Sequence, residues 1–363
     1  ISPNWYAGLA RGQADTYSDL ECPAIETCLV TARPSTDADG VFETSNGGRR
    51  WQGPTVRAAP LARSGITCWD ALHCAIFVTA ANVQSYLYRT ADGGVSWKSL
   101  DGPRVLTLNG AENPVLSCPT SSRCILAANI QFGRRRQQSY IWVSNDGGST
   151  WEQRTIDFYP AVATCSSATH CVVIGYDSAG KYEAATTFDW FGADTSTGRI
   201  AGPSGPYAFP DGVVCPTDLD CIASFASTPV GGGHTSEAVT RSTDGGRSWV
   251  ETDTSSLPGT ADVTYIACAS ASTCWLTGGP TPYASPPKSY LPPPGAPLLA
   301  ETTDGGATWH PHAVPTGVQS IFGLSCPTPT TCYALGFATA AIQVHLYGSV
   351  YNNEHLVILL RMQ

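Results

Sequence analysis

An all-β chain built from repeated four-stranded units is what this sequence predicts, and three observations predict it. Fourteen cysteines fall into seven Cys-x5-Cys pairs with none left over. An octapeptide, [Ser/Thr]-x-[Asp/Asn]-Gly-Gly-x-x-Trp, recurs five times and ends at Trp51, Trp97, Trp151, Trp249 and Trp309. Thirty-six glycines and 27 prolines punctuate 363 residues, and no long apolar helical pattern runs between them.

The cysteines set the period. The pairs are Cys22/Cys28, Cys68/Cys74, Cys118/Cys124, Cys165/Cys171, Cys215/Cys221, Cys268/Cys274 and Cys326/Cys332. Successive first cysteines lie 46, 50, 47, 50, 53 and 58 residues apart. That is a sevenfold internal repeat of about 50 residues. Zinc sites use Cys-x2–4-Cys knuckles that converge on one ion, and seven evenly spaced x5 pairs do not converge, so no metal is expected. Two cysteines across a hairpin mouth reach disulfide geometry. The pairs therefore read as Cys22–Cys28 and its six counterparts, each worth about 2 kcal/mol by the loop-entropy argument. Such a framework persists in an oxidising compartment, which points to a secreted protein. The sequence opens at Ile1 without a charged n-region and apolar h-region, the look expected of a mature, processed chain and equally of a trimmed one.

Each repeat reads as four strands. In residues 113–158, "NPVLSCP" and "CILAANI" flank the cysteine turn, "QFGRRRQQ" is a polar insert, and "SYIWVS" and "TWEQRTI" flank the Asp-Gly-Gly turn. Four antiparallel strands per roughly 50 residues make a propeller blade, and seven such units predict seven blades. The glycines of the octapeptide supply positive φ for a hairpin turn. Asn46, Asp92, Asp146, Asp244 and Asp304 accept hydrogen bonds from turn amides. Trp51, Trp97, Trp151, Trp249 and Trp309 begin the fourth strand and pack between blades. The fourth repeat keeps only Thr187-x-Asp189-Trp190, and the seventh has no such turn. Trp5 precedes Cys22 by 17 residues, as Trp51 precedes Cys68. The N-terminal strand, residues 1–12, is therefore expected to complete the last blade and close the ring. Residues 1–350 form one propeller in this reading, and 351–363 form a C-terminal tail or final strand.

The octapeptide resembles the Asp-box, or BNR repeat, of sialidases and related propellers. The resemblance covers the five boxes and the layout, and implies that the boxes are structural and lie away from the functional face. It does not extend to the sialidase catalytic set, because no Arg-Ile-Pro or Arg-Leu-Pro occurs; "LARSG" (61–65) is no substitute. The layout also resembles the non-enzymatic seven-bladed Asp-box factors that assemble photosystems in plants and cyanobacteria. Related Asp-box glycosidases use a pair of carboxylates.

Strand alternation puts the cysteine turns and the box turns on one face. The opposite face carries the loops between second and third strands and between blades, where site chemistry concentrates. Ligand-binding candidates there are Arg134, Arg135 and Arg136, which suit carboxylate or sulfate. Tyr176, Asp177, Lys181 and Tyr182 follow in the fourth repeat, and His234 in a Gly-rich loop of the fifth. Tyr283 and Tyr290 lie in the Pro-rich arm 278–297, an extended segment. Asp37, Asp39, Asp177 and Glu183, or Asp157, Asp194, Asp211 and Asp262, would supply the acids of a glycosidase. The formal net charge of -9 disfavours nucleic acid as a partner. "HLVILL" is too short to span a bilayer. No Gly-x-Ser-x-Gly, His-Glu-x-x-His or Walker loop occurs, and no cofactor is implied. The sequence thus predicts a secreted, non-enzymatic binding propeller with a glycan or protein partner; the alternative is an Asp-box glycoside hydrolase.

Overall fold

The computed structural model describes residues 4–7, 14–34, 40–57, 65–79, 85–103, 114–132, 136–176, 182–187, 195–199, 208–227, 237–257, 262–279, 297–314, 318–338 and 356–362. They form strands only. β1 is Asn4–Ala7. The first sheet then runs β2 (Ala14–Ala24), β3 (Thr27–Pro34), β4 (Gly40–Thr44), β5 (Gln52–Arg57). The second runs β6 (Ile66–Cys68), β7 (Cys74–Thr79), β8 (Ser85–Thr90), β9 (Lys98–Asp101). The third runs β10 (Val115–Ser117), β11 (Cys124–Phe132), β12 (Arg136–Ser144), β13 (Glu152–Ile156). The fourth runs β14 (Tyr159–Cys165), β15 (Cys171–Tyr176), β16 (Tyr182–Thr187), β17 (Thr195–Arg199). The fifth runs β18 (Ala208–Val214), β19 (Cys221–Ser227), β20 (Glu237–Ser242), β21 (Val250–Glu251). The sixth runs β22 (Asp262–Cys268), β23 (Cys274–Gly279), β24 (Leu298–Thr302), β25 (His310–Pro311).

The remaining sheet corrects the expectation of seven equivalent blades closed by residues 1–12. Blades made of four consecutive strands number six, not seven. The last sheet is a composite in the order β1-β28-β27-β26, with β26 (Val318–Thr328), β27 (Thr331–Ala338) and β28 (Leu356–Met362). Its outer strand is four residues long, with Asn4 opposite Arg361 and Ala7 opposite Ile358. The physical reason is pairing: β28 offers an open edge, and β1 fills it in antiparallel register. Residues 356–362 are thus an interior strand of this sheet.

Neighbouring sheets pack through apolar seams. Leu29, Val41 and Ile76 join the first sheet to the second; Leu87, Leu126 and Trp142 join the second to the third. Leu20 and Val30 of the first sheet pack on Tyr333 and Leu335 of the last. The Ser325 hydroxyl accepts from the Cys22 amide at 2.9 Å across that same seam. Equivalent bonds run from Cys118 N to Thr67 Oγ1 (3.0 Å) and from Cys165 N to Ser117 Oγ (3.0 Å). Each accepting hydroxyl is the residue before the first cysteine of its sheet.

All seven cysteine pairs are disulfides, each joining the first and second strands of one sheet, with Cα atoms 3.9–4.1 Å apart. In three sheets the two cysteines are direct register partners: Cys68 with Cys74, Cys165 with Cys171, and Cys268 with Cys274. The first and last pairs depart from the expected pattern of cysteines that bound the turn. Both cysteines lie inside strands, because β2 runs on to Ala24 and β3 starts at Thr27, and β26 runs on to Thr328 and β27 starts at Thr331. A register shift between Ser325 and Thr328 takes Cys326 out of direct opposition. On its other side Cys332 is the register partner of Met362, which ties the disulfide to β28.

The five octapeptides share one hydrogen-bond scheme. The leading hydroxyl, as in Thr90 or Ser144, donates to the acid's Oδ1 (2.7 and 2.9 Å) and accepts from the second glycine's N–H (2.9 and 2.7 Å). Asp146 Oδ1 also accepts from Thr150 N (2.8 Å), and Oδ2 accepts from the Thr150 hydroxyl (2.6 Å). Ser96, Ser248 and Thr308 repeat that hydroxyl bond for Asp92, Asp244 and Asp304. The first box departs consistently. Its acceptor is Asn46, whose amide nitrogen cannot accept, and the matching position is Arg50 rather than a hydroxyl. Gly94 and Gly148 have φ of 99° and 89°. A Cβ there would lie 2.3 Å from Leu29 and 2.1 Å from Leu87 of the preceding sheet, so only glycine fits. Trp97, Trp151 and Trp249 return their indole N–H to the second glycine's carbonyl at 2.9–3.0 Å. Trp97 and Trp151 pack into the seams with the preceding sheets.

The first glycine makes the tie that orients each sheet. Its N–H donates to a cysteine-turn carbonyl in all five boxes: Gly47 to Glu26, Gly93 to Leu72, Gly147 to Ser122, Gly245 to Leu219 and Gly305 to Ser272, at 2.8–2.9 Å. Both turns therefore lie at one end of the sheets.

These bonds depress the acids. The Thr150 hydroxyl and amide hold the Asp146 carboxyl down to about 2. Asp304 is also held at about 2, where bonds from Thr308, Thr302 and Ala307 outweigh the raising effect of burial. Replacing Asp146 by Asn is expected to cost about 1–2 kcal/mol in urea unfolding, since Thr150 loses its charged acceptor. Asn46→Asp is expected to stay within about 0.5 kcal/mol of the parent, because Arg50 offers no hydroxyl to reward it.

Candidate functional site

The sequence places its site candidates on the face opposite the disulfide turns. Most sequence candidates there, Arg134, Arg135, Asp177, Lys181, His234, Tyr283 and Tyr290, lie outside the described residues, as do Asp37, Asp39, Asp194 and the Thr187–Trp190 remnant beyond Thr187. The others have defined places. Arg136 opens β12 opposite Phe132, so the insert read as residues 131–138 is mostly strand. The reason is pairing: Gln131 and Gln137 extend the β11–β12 ladder despite their polarity. Glu183 pairs with Gly175 in β16, Asp211 sits at a register shift in β18, and Asp262 opens β22. Asp157 lies in the bend between β13 and β14. These acids are spread over different sheets, and the described residues do not bring them together as a facing pair.

The register does assemble a row of tyrosines. Tyr159 is the direct partner of Tyr176, and Tyr176 of Tyr182. These register positions cross β14, β15 and β16 at the end away from the disulfides. The Tyr159 and Tyr176 rings touch, with centroids 5.4 Å apart and planes inclined by 35°. Both are half-buried, and Tyr176 packs on the seam formed by Val172, Ile174, Ala223 and Phe225 between the fourth and fifth sheets. The sequence reading named Tyr176 and Tyr182 and missed Tyr159.

A second cluster went unread. Asp19 and Glu21 alternate with buried Leu20 on β2, the first strand of its sheet. Asp19 Oδ2 accepts from Ile66 N of β6 (2.7 Å) and Oδ1 from Leu20 N (2.9 Å). Burial raises Asp19 to about 6 against the lowering effect of those two amides. Burial, then the charge of Asp19, raises Glu21 to about 8. Near neutral pH one acid is ionised and its neighbour holds its proton. Among the described residues neither has a cationic partner, and no group of three or more His, Cys, Asp or Glu side chains is placed to hold a metal ion. Every cysteine from Cys22 to Cys332 is spent in a disulfide, so none is a thiolate ligand or nucleophile. The signal for the acid pair was legible in principle: "DLEC" puts acids where the other repeats have "GITC", "VLSC" or "VATC".

No family profile matches the chain, and no curated protein matches it in sequence. Solved structures match its shape. YCF48 bound to D1 peptide aligns with TM-score 0.58 at 15% identity, covering 100% of this chain and 98% of that one. A GH74 xyloglucanase from Xanthomonas campestris aligns with TM-score 0.60 at 14% identity, covering 96% of this chain and 55% of that one. The chain thus spans about half the length of the xyloglucanase. A PL25 ulvan lyase bound to a GlcA–Rha3S unit aligns with TM-score 0.54 at 9% identity, over 98% and 95% of the two chains. At these identities the likeness shows the fold: the protein is a β-propeller. Seven disulfides suit an oxidising, extracellular setting. Among the described residues no helix is long and apolar enough to cross a membrane.

The acid pair gives a pH dependence of defined sign. Glu21 ionises near 4.5 in an unfolded chain and near 8 when folded, so the folded state binds more protons between those values. Its contribution is present below pH 4.5 and is lost as pH rises through 8. Glu21→Gln is expected to be neutral near pH 5 and stabilising by about 1–2 kcal/mol above pH 8, read by urea unfolding; partial solvent access keeps the gain below the full shift. A variant equally or less stable at both ends contradicts the assignment.

Proposed function

We propose that this chain is a secreted, non-enzymatic binding propeller that recognises a glycan or protein partner on the face opposite its disulfide turns. The observation that carries this reading is the Tyr159–Tyr176 ring pair. Tyr159, Tyr176 and Tyr182 stand in register across three strands, anchored on a sheet stapled by Cys165–Cys171. Aromatic rings on a rigid backbone offer large contact area at low entropic cost, whether the partner is a sugar face or an extended peptide. Full-length coverage of YCF48 bound to D1 peptide supports the sufficiency of a single propeller of this size for peptide docking. Two neighbours act on or bind polysaccharides, which supports the glycan arm.

One observation favours a second reading. Asp19 and Glu21 divide into an ionised and a protonated carboxyl near neutral pH, the division that glycoside hydrolysis uses. In that reading Glu21 is the acid and Asp19 the base or nucleophile.

One pair of assays separates the two. The purified chain is screened on a glycan array and against extended peptides, and in parallel in a reducing-sugar assay on polysaccharides. Binding without turnover is expected, with Tyr159→Ala and Tyr176→Ala each weakening affinity about tenfold. Turnover that disappears in Glu21→Gln would put the hydrolase reading first.

A further inference from the structure

The seven disulfides are not equally sheltered. The second cysteine of every pair, from Cys28 to Cys332, is buried. The first cysteine is buried in three pairs: Cys22 is 2% exposed, Cys118 1% and Cys215 6%. In the other four pairs the first cysteine, Cys68, Cys165, Cys268 or Cys326, is only half-buried. Each of those four bonds has one sheltered end and one end within reach of solvent.

The next residue in the chain accompanies this division. Pro23, Pro119 and Pro216 follow the three buried cysteines. Proline has no N–H, so no backbone bond can be donated from that position to close the turn. β10 stops at Ser117 and β18 at Val214, one residue short of their cysteines, and β2 shifts register after Glu21. Trp69, Ser166 and Ala269 occupy the same position in three of the half-buried pairs. Their N–H groups donate to the carbonyls of His73, His170 and Thr273 at 3.1, 3.2 and 2.9 Å. The ladder therefore runs up to the cysteines, which are direct register partners in these three sheets. Cys326 is followed by Pro327, but its strands pair again beyond it, Thr328 with Thr331. All four hairpins are thus closed by the backbone as well as by sulfur, and can keep their register while the sulfur bond is exchanged.

We propose that Cys68, Cys165, Cys268 and Cys326 are sites of covalent modification by small thiols in the folded protein, while Cys22–Cys28, Cys118–Cys124 and Cys215–Cys221 are permanent staples. The reactant is a low-molecular-weight thiol of the cysteine or glutathione class. Exchange rates depend on which sulfur is attacked and on access to it. The thiolate attacks Sγ of the half-buried cysteine and forms a new S–S bond to it. The old S–S bond breaks, and its electron pair leaves on the buried partner, Cys74, Cys171, Cys274 or Cys332, whose sulfur takes a proton from water. The product is a mixed disulfide at the first cysteine and a thiol at the second. A dithiol goes one step further: its second thiolate displaces the first cysteine, which takes up a proton in turn. The protein then holds two thiols and the reagent is oxidised to a cyclic disulfide. The inference stands apart from the binding reading, since it needs no ligand on the opposite face.

The test incubates the native protein with reduced glutathione at about pH 8, where a small thiol is partly ionised. Samples are quenched by alkylation at intervals and mapped by peptide mass. Glutathione is expected on Cys68, Cys165, Cys268 and Cys326, and the alkyl group on Cys74, Cys171, Cys274 and Cys332. The three staples are expected to open about tenfold more slowly or not at all. A second series in low, sub-denaturing urea separates native exchange from exchange through unfolding. The four rates are expected to stay level there, and the selectivity to vanish only in fully denaturing urea. Seven pairs opening together in the native protein, adducts on the buried second cysteines, or four rates that climb with urea in step with global unfolding would each overturn the proposal. No substitution is needed, so the outcome does not depend on a variant that folds.

Discussion

The hydrogen bond from the first box glycine to the cysteine-turn carbonyl is the constraint on which the rest of the architecture depends. It fastens the hairpin between the third and fourth strands to the hairpin between the first and second. The disulfide holds the acceptor in place, and the positive φ of the glycine aims the donor. Once both hairpins are fixed to each other, the tryptophan that follows can enter only the seam with the preceding sheet. Sheet spacing is thereby set from the turn face. The opposite face is left free to vary in loop length, and so to specialise.

Two sheets are assembled partly from distant segments. In the last sheet the fourth strand is β1, from the start of the chain. Its second cysteine pairs with the third strand, Cys332 opposite Met362, as Cys28 pairs with Thr44 and Cys74 with Thr90 in sheets that carry the octapeptide. The fourth repeat lacks the complete octapeptide in sequence, and its cysteine turn reaches forward through His170 and Ser166 to the fifth sheet, as Arg89 of the second sheet reaches the third. A local turn forms regardless of its surroundings, whereas a bond between distant segments depends on folding being complete.

Much of the fold was legible because its determinants are short. Cys-x5-Cys and Asp-Gly-Gly-x-x-Trp specify turns, disulfides and inter-sheet tryptophans within eight residues. Strand extent was less legible. "QFGRRRQQ" looks like a loop by composition, yet Gln131 and Gln137 pair in a ladder, since edge-adjacent strands tolerate polar side chains. The composite last sheet was hinted at only by the Trp5 spacing, and the stretch from Leu356 read equally as a tail or a final strand because no repeat marker flanks it. At the site, Tyr176 and Tyr182 stood out as loop residues. Tyr159 did not, because its role comes from register with a strand that precedes Tyr182. Asp19 and Glu21 were hidden in plain sight: two acids in a largely polar stretch are informative only once β2 is known to be a first strand, packed against its neighbour.

The electrostatics divide along the same line as the geometry. The box aspartates are surrounded by donors and are held low, so their bonds survive until strongly acidic pH. The acids on β2 meet burial before they meet donors and are pushed high. The first group serves the scaffold, and the second is tolerated at a cost that rises with pH. Non-reducing peptide mapping of the native protein tests the central claim most directly. The account predicts seven links, from Cys22–Cys28 to Cys326–Cys332, each between cysteines six residues apart within one sheet, and no free thiol. A link between cysteines of different sheets, or a persistent unpaired cysteine, would contradict it.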